Sequence, residues 1–384
     1  MTGTPVLWVT GPAGAGKTTV AWLIYTGLSG SGAEVGYVDI DQLGMCYPEP
    51  AEDPGRHRIA ADNLAAVVAG YRAAGARAVV VSGVVDPARG VPVDRLPDVV
   101  VTTCRLRAAA GDLRRRLVAR RADAAFVDAA LAEAEALDAG AVGDLCIDTS
   151  GRSIEEVVAL VRQRTAGWAD RAPTIAAATV DEPYPDAGGP ILWVCGPTGV
   201  GKSTAGFSLY LRHVLNAGIV GAYVDLDQIG FYRPATAAAG IDHAMRAGIL
   251  AGMWRTFRIS GAECLIVVGP AGNAAAITAY ARAMPATTIT VCRLHASAEE
   301  LARRILRRGE GHGSWAQPGD RLTGRSAGYL SAVAARAAAE AEALDRAAVG
   351  DVRIDTDRLT AEEVADAIAA ETGWPVAGRR LPRT

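Results

Sequence analysis

A glycine-rich segment occurs twice in this chain and constrains its fold more than any other feature. Residues 11–18 read GPAGAGKT and residues 196–203 read GPTGVGKS, and both fit the phosphate-loop (Walker A) pattern GxxxxGKS/T at every fixed position. An apolar run at residues 6–10 or 191–195 precedes each copy and predicts a buried strand. The chain is therefore predicted to contain two strand–loop–helix phosphate cradles of one design.

The residue types of this loop explain why it binds phosphate. Its glycines let the backbone curve so that the N–H groups point at phosphate oxygens, and the following helix adds the positive end of its dipole. Lys17 and Lys202 are expected to reach the β- and γ-phosphates, and the hydroxyls of Thr18 and Ser203 to hold Mg²⁺. The glycines expected to shape the two nucleotide sites are Gly11, Gly14, Gly16, Gly196, Gly199 and Gly201.

Composition limits the classes of protein to which the chain can belong. Its 384 residues are enough for two domains, and 50% hydrophobic with 21% charged residues is the balance of a globular protein. A net charge of −3 and 5% aromatic residues do not favour a nucleic-acid partner. The sequence shows no leader peptide and no apolar run that predicts a membrane span, so we expect a cytoplasmic protein without a membrane partner. The spacing of the cysteines favours neither disulfides nor structural zinc.

Apolar runs alternate with helical patterns in the first half of the chain, which is typical of a parallel sheet with crossover helices. The runs predict strands at about residues 6–10, 34–40, 78–82, 98–103 and 145–148. The intervals predict helices at about residues 17–28, 60–74, 113–121, 123–137 and 153–165. A stretch rich in Ala, Pro, Asp and Gly at residues 169–189 then breaks the pattern and predicts an exposed linker.

The second half of the sequence repeats the first. The segment YVDIDQLG at residues 37–44 returns as YVDLDQIG at 223–230, and the tripeptide IDT at 147–149 returns at 354–356. We therefore predict an α/β protein of two tandem domains, each a five-stranded parallel sheet sandwiched by helices, arranged as an internal pseudo-dimer that could form further homo-oligomers. The predicted segments are a first domain at 1–168, the linker at 169–189, a second domain at 190–376 and a tail at 377–384.

Paired aspartates follow the second predicted strand of each half. Asp39 and Asp41 stand two residues apart, as do Asp225 and Asp227, so the period of a strand places both carboxylates of a pair on one face. Ligands bind at the carboxyl ends of the strands in an open parallel sheet. An aspartate at this place can bind Mg²⁺, with Asp39 and Asp225 as candidates, or accept the proton of an attacking hydroxyl.

Arginines recur four residues apart on a later helix of each half, at Arg116 and Arg120 and at Arg304 and Arg308. Fixed guanidinium groups of this kind can stabilise a phosphoryl group in transfer. In the second half, a polar segment with several glycines follows at residues 309–326 and predicts a mobile lid. The first half has no such segment, so we expect its domain to lack a lid.

These motifs together resemble small-molecule kinases of the nucleoside-monophosphate-kinase group of P-loop NTPases, within the shikimate, gluconate, adenylylsulfate and chloramphenicol phosphotransferase branch. The resemblance implies that residues 196–204 hold ATP. Thr204 is the last residue of this segment, and Thr19 is the matching residue in the first half. It further implies that Asp225 or Asp227 is the base or the magnesium partner, that Arg304 and Arg308 neutralise the transferring phosphoryl group, and that Asp355 and Thr356 border the adenine. The glutamine after each aspartate pair and the fusion of two units depart from the pattern of these enzymes.

The sequence thus predicts an ATP- and Mg²⁺-dependent phosphotransferase that acts on a hydroxyl group of a small metabolite or an antibiotic-like compound, with chemistry mainly in the second domain. A nucleoside or nucleotide kinase is a second reading, although no base-reading pocket is evident. A non-catalytic ATP-binding protein with a regulatory or partner-binding role is a third, because both phosphate loops are intact. The acceptor cannot be identified from the segments expected to bind it.

Overall fold

The computed structural model describes residues 3–120, 122–140, 142–171, 187–232, 241–311, 320 and 322–375. Most of the predicted linker, half of the predicted lid and the whole predicted tail lie outside the described residues. The strands are β1 Thr4–Thr10, β2 Val35–Asp39, β3 Cys46–Tyr47, β4 Ala78–Ser82, β5 Val99–Arg107, β6 Leu145–Asp148, β7 Gly189–Cys195, β8 Gly221–Asp225, β9 Cys264–Val268, β10 Thr287–His295 and β11 Val352–Asp355.

The α-helices lie between these strands, as a parallel sheet with crossover connections requires. They are α1 Lys17–Gly30, α2 His57–Ala73, α3 Ala110–Ala119, α4 Ala124–Ala139, α5 Ile154–Arg164, α6 Lys202–Leu209, α7 His243–Ile259, α8 Ala274–Ala283, α9 Ala298–Gly309, α10 Ala327–Arg346 and α11 Ala361–Thr372. A π-helical segment, Tyr210–Leu215, continues α6. No helix among the described residues is both long and apolar enough to cross a membrane.

The chain divides into two compact units, each of which includes a short segment from the other half of the sequence. Unit 1 consists of Met1–Gly44, Ala51–Glu182 and Gln228–Met245, and unit 2 of Met45–Pro50, Pro183–Asp227 and Arg246–Thr384. The repeated sequence pattern does not predict this exchange of residues 45–50 and 228–245. A repeat assigns each of these segments to the half of the sequence in which it occurs.

Unit 1 contains a five-stranded parallel sheet in the order β2-β4-β1-β5-β6, flanked by helices. The central strands are buried along their whole length, which explains why their sequences are continuous apolar runs instead of alternating ones. Phe231 is partly buried and packs against the core of this unit, with its ring centroid 5.0 Å from that of Trp22 and 5.7 Å from that of Tyr37. The described part of unit 1 thus has the sheet that the sequence predicts.

Unit 2 contains the corresponding order β11-β10-β7-β9-β8, but β3 adds a sixth strand at the edge of its sheet. Strand β3 pairs antiparallel with β8, with Cys46 opposite Ala222 and Tyr47 opposite Gly221. The prediction of five strands is therefore wrong for this unit. A two-residue strand is too short to produce a periodic pattern in the sequence, so only its pairing reveals it.

Side-chain caps fix the ends of several helices. Ser153 and Thr360 begin α5 and α11 with reciprocal capping boxes, in which a glutamate of the first turn hydrogen-bonds back to the cap residue. Ser297 and Ser326 accept hydrogen bonds from the first turns of α9 and α10. These caps set the ends of the helices that approach the phosphate loops.

Candidate functional site

Each phosphate loop connects the central strand of its sheet to the following helix. The loop glycines have positive φ angles, which are 138°, 84° and 96° at Gly11, Gly14 and Gly16, and 140°, 84° and 101° at Gly196, Gly199 and Gly201. A residue other than glycine is strained in this region of φ. Helices α1 and α6 begin at Lys17 and Lys202, directly after glycines in the left-handed conformation. The two loops therefore share one backbone shape, with a helix N-terminus behind each.

The loop hydroxyl of each unit donates a hydrogen bond to the first aspartate of the predicted pair. Thr18 Oγ1 lies 3.1 Å from Asp39 Oδ2, and Ser203 Oγ lies 2.9 Å from Asp225 Oδ2. Asp39 and Asp225 are both only 6% exposed. A hydroxyl and a carboxylate oxygen at this separation are suitable oxygen donors for Mg²⁺, bound directly or through water.

Burial raises the pKa of Asp39 to about 6, and the nearby charge of Asp41 acts in the same direction. Burial and the charge of Asp227 likewise raise the pKa of Asp225 to about 6. A bound cation would offset this cost of burying a carboxylate, because opposite charge favours the ionised form. The electrostatics of both sites are therefore suited to a divalent cation.

The second aspartate of each pair has a more open environment than the first. Asp41 is exposed, and its Oδ1 accepts a hydrogen bond of 3.3 Å from the backbone of Val84. The side chain of Asp227 is 56% exposed and forms an ion pair of 3.1 Å with the buried Arg246. In each unit, one carboxylate is thus enclosed against the loop hydroxyl and the other is open to solvent.

The strand beside each phosphate-loop strand ends without an acidic residue, as its sequence indicates. Strand β4 pairs with β1 and ends at Ser82, while β9 pairs with β7 and ends at Val268. Ser82 Oγ donates a hydrogen bond of 2.9 Å to Asp39 Oδ2, so in unit 1 the neighbouring strand supports the aspartate of the next strand. Val268 provides no such donor to Asp225.

Arg304 joins the phosphate loop of unit 2 to the segment after the last strand. Its Nη1 donates to the backbone oxygen of Val200 at 2.8 Å and to Thr356 Oγ1 at 3.0 Å, and its Nη2 donates to the backbone oxygen of Thr356 at 2.6 Å. Its Nε donates to Glu300 at 2.6 Å. These contacts place Arg304 beside Thr356, at the side of the loop where the resemblance implies the adenine.

Arg116 makes the matching contacts in unit 1. Its Nη1 donates to the backbone oxygen of Gly14 at 3.3 Å and to Thr149 Oγ1 at 3.1 Å, and its Nη2 donates to the backbone oxygen of Thr149 at 3.0 Å. The first arginine of each predicted pair therefore holds the loop in shape. Its contact with a transferring phosphoryl group stays a prediction.

The second arginines, Arg308 and Arg120, lie at the ends of α9 and α3. Arg308 Nε donates to Asp320 at 3.1 Å, and Asp320 also accepts from the backbone of Leu322 at 2.9 Å. Asp320 is the one described residue within the predicted lid between positions 312 and 321. Arg120 lines the cavity described next.

A cavity of about 520 Å³ lies over the phosphate loop of unit 1. Its floor is formed by loop residues including Lys17, Thr18 and Thr19, and Asp41 also lines it. Residues at the junction of α3 and α4 also line it, namely Leu117, Arg120, Ala122, Asp123 and Phe126. The short α3–α4 junction therefore borders the nucleotide site of a unit for which the sequence predicts no lid.

Glutamates from later helices also approach the two loops, and the motifs predicted from the sequence do not include them. Glu133 of α4 accepts a hydrogen bond of 3.3 Å from the backbone N–H of Ala13. Burial raises the pKa of Glu340 of α10, while the charge of Lys202 and the backbone of Thr198 lower it. Both glutamates are half-buried. They occupy matching places directly before the repeated segment AEAL, so a comparison of the two halves could have found them.

No family model matches the chain, and no curated protein matches it. Solved structures that match it include the tunicamycin resistance protein of Deinococcus radiodurans, with 21% identity, a TM-score of 0.33 and coverage of 48% of this chain and 96% of that one. A gluconokinase from Sinorhizobium meliloti matches with 20% identity, a TM-score of 0.31 and coverage of 50% and 100%. A shikimate kinase from Acinetobacter baumannii matches with 16% identity, a TM-score of 0.31 and coverage of 42% and 92%.

Each of these matches spans nearly all of the other protein but no more than half of this chain. Small-molecule kinases are thus among the proteins that the chain is similar to, and its sheets have the parallel, helix-flanked form that the sequence predicts. Likeness at these identities and TM-scores carries no argument about activity.

Proposed function

We propose that the chain is an ATP- and Mg²⁺-dependent phosphotransferase that acts on a hydroxyl group of a small metabolite or an antibiotic-like compound, with the chemistry mainly in unit 2. The observation that carries the proposal is the repeated contact between loop hydroxyl and buried aspartate, Thr18–Asp39 and Ser203–Asp225. It joins a phosphate cradle, two oxygen donors for a cation and a second, open carboxylate within one site. We further propose that the two units arose by tandem duplication.

Each residue of the unit 2 site has a separate role in this proposal. The loop amides and Lys202 bind the phosphates of ATP, while Ser203 and Asp225 hold Mg²⁺, which neutralises charge on the phosphate oxygens. Asp227 is the better placed of the two aspartates to meet an acceptor, because it is open to solvent whereas both oxygens of Asp225 accept hydrogen bonds. Asp41 and Asp39 correspond to them in unit 1.

In the reaction, the acceptor hydroxyl oxygen forms a bond to the γ-phosphorus, and the bond from that phosphorus to the bridging oxygen breaks. ADP leaves with the electron pair of the broken bond, and the hydroxyl proton passes to Asp227 and then to solvent. Arg304 keeps the loop and Thr356 in register, and Arg308 approaches from the end of α9. Water must be kept from the γ-phosphate, which is the role we assign to the segment at 309–326.

Incubation with Mg²⁺ and γ-labelled ATP in the presence of a pool of hydroxylated compounds tests the proposal. Label should appear on an acceptor, and this transfer should require Mg²⁺. Slow formation of ADP without a labelled acceptor would contradict a phosphotransferase.

A regulatory ATP-binding protein is the second candidate function. The cavity over the phosphate loop of unit 1 favours it. Lys17, Thr18 and Thr19 all line this cavity, so a nucleotide could bind there although the sequence predicts no lid for this unit. For this candidate, nucleotide should bind at both loops without any phosphate reaching an acceptor. The labelling experiment therefore separates the two candidates.

A further inference from the structure

Glu133 accepts a hydrogen bond from a backbone N–H group of the phosphate loop. Without this contact, the N–H group could bind a phosphate. The Oε2 atom of Glu133 accepts a hydrogen bond of 3.3 Å from the backbone N–H of Ala13, the third residue of the loop. The amides of such a loop attract anions because they point into one concave space. In unit 1, a carboxylate of the protein itself occupies part of that space.

Unit 2 repeats the arrangement with different surroundings. The backbone of Thr198, which is also the third residue of its loop, favours the ionised form of Glu340 and lowers its pKa, against the effect of burial. Four residues separate the helix of Glu133 from the end of α3, whereas the helix of Glu340 follows the longer segment after α9. A glutamate is thus near the third loop residue in both units although the connection before the helix differs.

Charged groups around each glutamate show which end of the nucleotide site it occupies. The charges of Lys17 of the loop, Asp41 after the second strand and His57 at the start of α2 act on Glu133. The charges of Lys202 and Asp227 act on Glu340 in the same way. The loop lysine is the residue expected to reach the β- and γ-phosphates, so both carboxylates belong to the terminal-phosphate end of the site.

The opposite end of the site is marked by other residues. Arg116 and Thr149 in unit 1, and Arg304 and Thr356 in unit 2, bind each other at the side of the loop where the base is expected. Neither glutamate hydrogen-bonds to these residues in the described part of the chain. A nucleoside diphosphate can therefore extend from that side without meeting the carboxylate.

We infer that Glu133 and Glu340 occupy the terminal-phosphate position of their loops in the nucleotide-free protein, and that they determine how strongly each site favours a diphosphate over a triphosphate. A γ-phosphate must displace the carboxylate from the loop amide, because two anions cannot share it, whereas a diphosphate leaves the carboxylate in place. This inference rests on the proposed function, in which the loops bind ATP and release ADP.

The test compares the binding of two nucleotides to the full chain. Calorimetry measures the Kd for ADP and for a non-hydrolysable ATP analogue, both with Mg²⁺, in the wild-type protein and in the double variant Glu133→Gln/Glu340→Gln. Glutamine keeps the shape of the side chain but removes its charge, so the affinity for the triphosphate analogue should rise by about tenfold. The affinity for ADP should change by less than about twofold, since ADP does not require displacement of the side chain.

Neighbouring glutamates provide the matched control. Glu135 and Glu342 are exposed residues of the same two helices, two positions after Glu133 and Glu340. The double variant Glu135→Gln/Glu342→Gln removes the same charge from the chain, so it should leave both affinities unchanged. A rise of similar size in this control would mean that net charge, and not the loop contact, causes the effect.

The outcomes separate the inference from the function on which it rests. If the wild-type protein binds neither nucleotide, the proposed function fails and the inference fails with it. If the wild-type protein binds both but the ratio of the two affinities is unchanged in Glu133→Gln/Glu340→Gln, or falls, the inference alone is overturned. The single variants Glu133→Gln and Glu340→Gln serve if the double variant does not fold, and each should show the change at its own site only.

Discussion

Burial of one carboxylate defines the chemistry of each site at the scale of single residues. Asp225 is 6% exposed, and the desolvation of its charged form raises its pKa from 3.8 to about 6. The ionised carboxylate that a cation requires is therefore unfavourable in the folded protein until the cation is present. Burial shifts the pKa of Asp39 in the same direction in unit 1, although Asp39 also accepts a hydrogen bond from Ser82.

This shift makes a prediction about stability and pH. The folded state holds the proton of Asp225 more tightly than the unfolded state does, so the wild-type protein loses stability as the pH rises from about 4 to about 6. The variant Asp225→Asn should be more stable than the wild type above pH 6 without Mg²⁺, by roughly 1–3 kcal/mol, since one pKa unit corresponds to 1.36 kcal/mol. The difference should disappear below about pH 4, where the wild-type carboxylate is protonated in both states.

Urea unfolding of both proteins across this pH range, without Mg²⁺, measures the difference. Asp357→Asn or Asp86→Asn would be poor controls because these half-buried carboxylates accept hydrogen bonds from backbone N–H groups. Asp128, with a side chain 72% exposed, is the better comparison, and Asp128→Asn should show little change. A stability gain for Asp225→Asn that does not depend on pH would contradict the account.

The sequence alone identified most of the contacting residues of the site but not their individual environments. The repeated pattern pointed to Thr18, Asp39, Ser203 and Asp225, and the structure brings each hydroxyl to its aspartate. The prediction that both aspartates of a pair share one face of a strand is wrong, because β2 ends at Asp39 and β8 ends at Asp225. The second aspartate of each pair lies beyond the strand, and the period of a strand therefore does not describe its environment. The repeated pattern also missed Arg246, since nothing at the matching place, Ala60, repeats its charge.

At the scale of elements, the strands of unit 1 lie where continuous apolar runs predict them. Ala78–Ser82 and Leu145–Asp148 agree at both ends, whereas Val99–Arg107 extends beyond the predicted residue 103. The extension contains Arg105 and Arg107, whose ion pairs with Asp138 allow charged residues to continue a strand. Apolar runs cannot predict strand residues of this type.

The packing of Phe231 in unit 1 gives a second prediction. The Phe231 ring meets Trp22 and Tyr37 edge-on, at centroid distances of 5.0 and 5.7 Å. Phe231→Ala removes these contacts from a partly buried ring, so it should lower the free energy of unfolding by roughly 2 kcal/mol. Thermal or urea unfolding measures the loss.

Ile259 offers a control for this substitution. It is an apolar residue with 78% of its surface exposed, so Ile259→Ala should change the stability by less than about 0.5 kcal/mol. Equal effects of the two substitutions would show that Phe231 is not packed in the core of unit 1.

A third prediction concerns Arg304 of helix α9, which hydrogen-bonds to the phosphate loop of unit 2. Arg304→Met keeps an unbranched side chain but removes the hydrogen bonds to Val200 and Thr356. The loop should lose its shape and nucleotide affinity should fall by roughly 10- to 100-fold, since hydrogen bonds from a charged group contribute about 1.5–3 kcal/mol each. Arg307→Met, on the exposed side of the same helix, is the matched control.

Binding of ADP measured by calorimetry distinguishes the two roles that Arg304 could have. Loss of ADP affinity supports a residue that shapes the loop. Unchanged ADP affinity together with a lower rate of phosphoryl transfer would instead place Arg304 at the transferring group, as the sequence resemblance implies.

At the scale of the whole molecule, the two units differ in what surrounds otherwise similar loops. Both have the loop lysine, the loop hydroxyl, the buried aspartate and the glutamate at the third loop residue. Unit 2 alone has the long segment after α9 and the ion pair between Arg246 and Asp227. This difference is the basis for placing the chemistry mainly in unit 2.

The sequence predicts a duplication because motifs repeat in order, but it could not predict which segments belong to which unit. Residues 45–50 belong to unit 2 and residues 228–245 to unit 1, although each segment follows a strand of the other unit. A repeated motif shows which residues are equivalent, and only packing shows which core they join. The edge strand Cys46–Tyr47 and the ring of Phe231 are the contacts that decide it.

The most direct test of this account measures phosphoryl transfer from γ-labelled ATP in the variants Lys17→Ala and Lys202→Ala. Each substitution removes the lysine that is proposed to bind the β- and γ-phosphates in one loop. The account predicts that Lys202→Ala abolishes transfer, whereas Lys17→Ala retains much of it while losing nucleotide at its own site. Equal loss of transfer in both variants, or full transfer in Lys202→Ala, would contradict it.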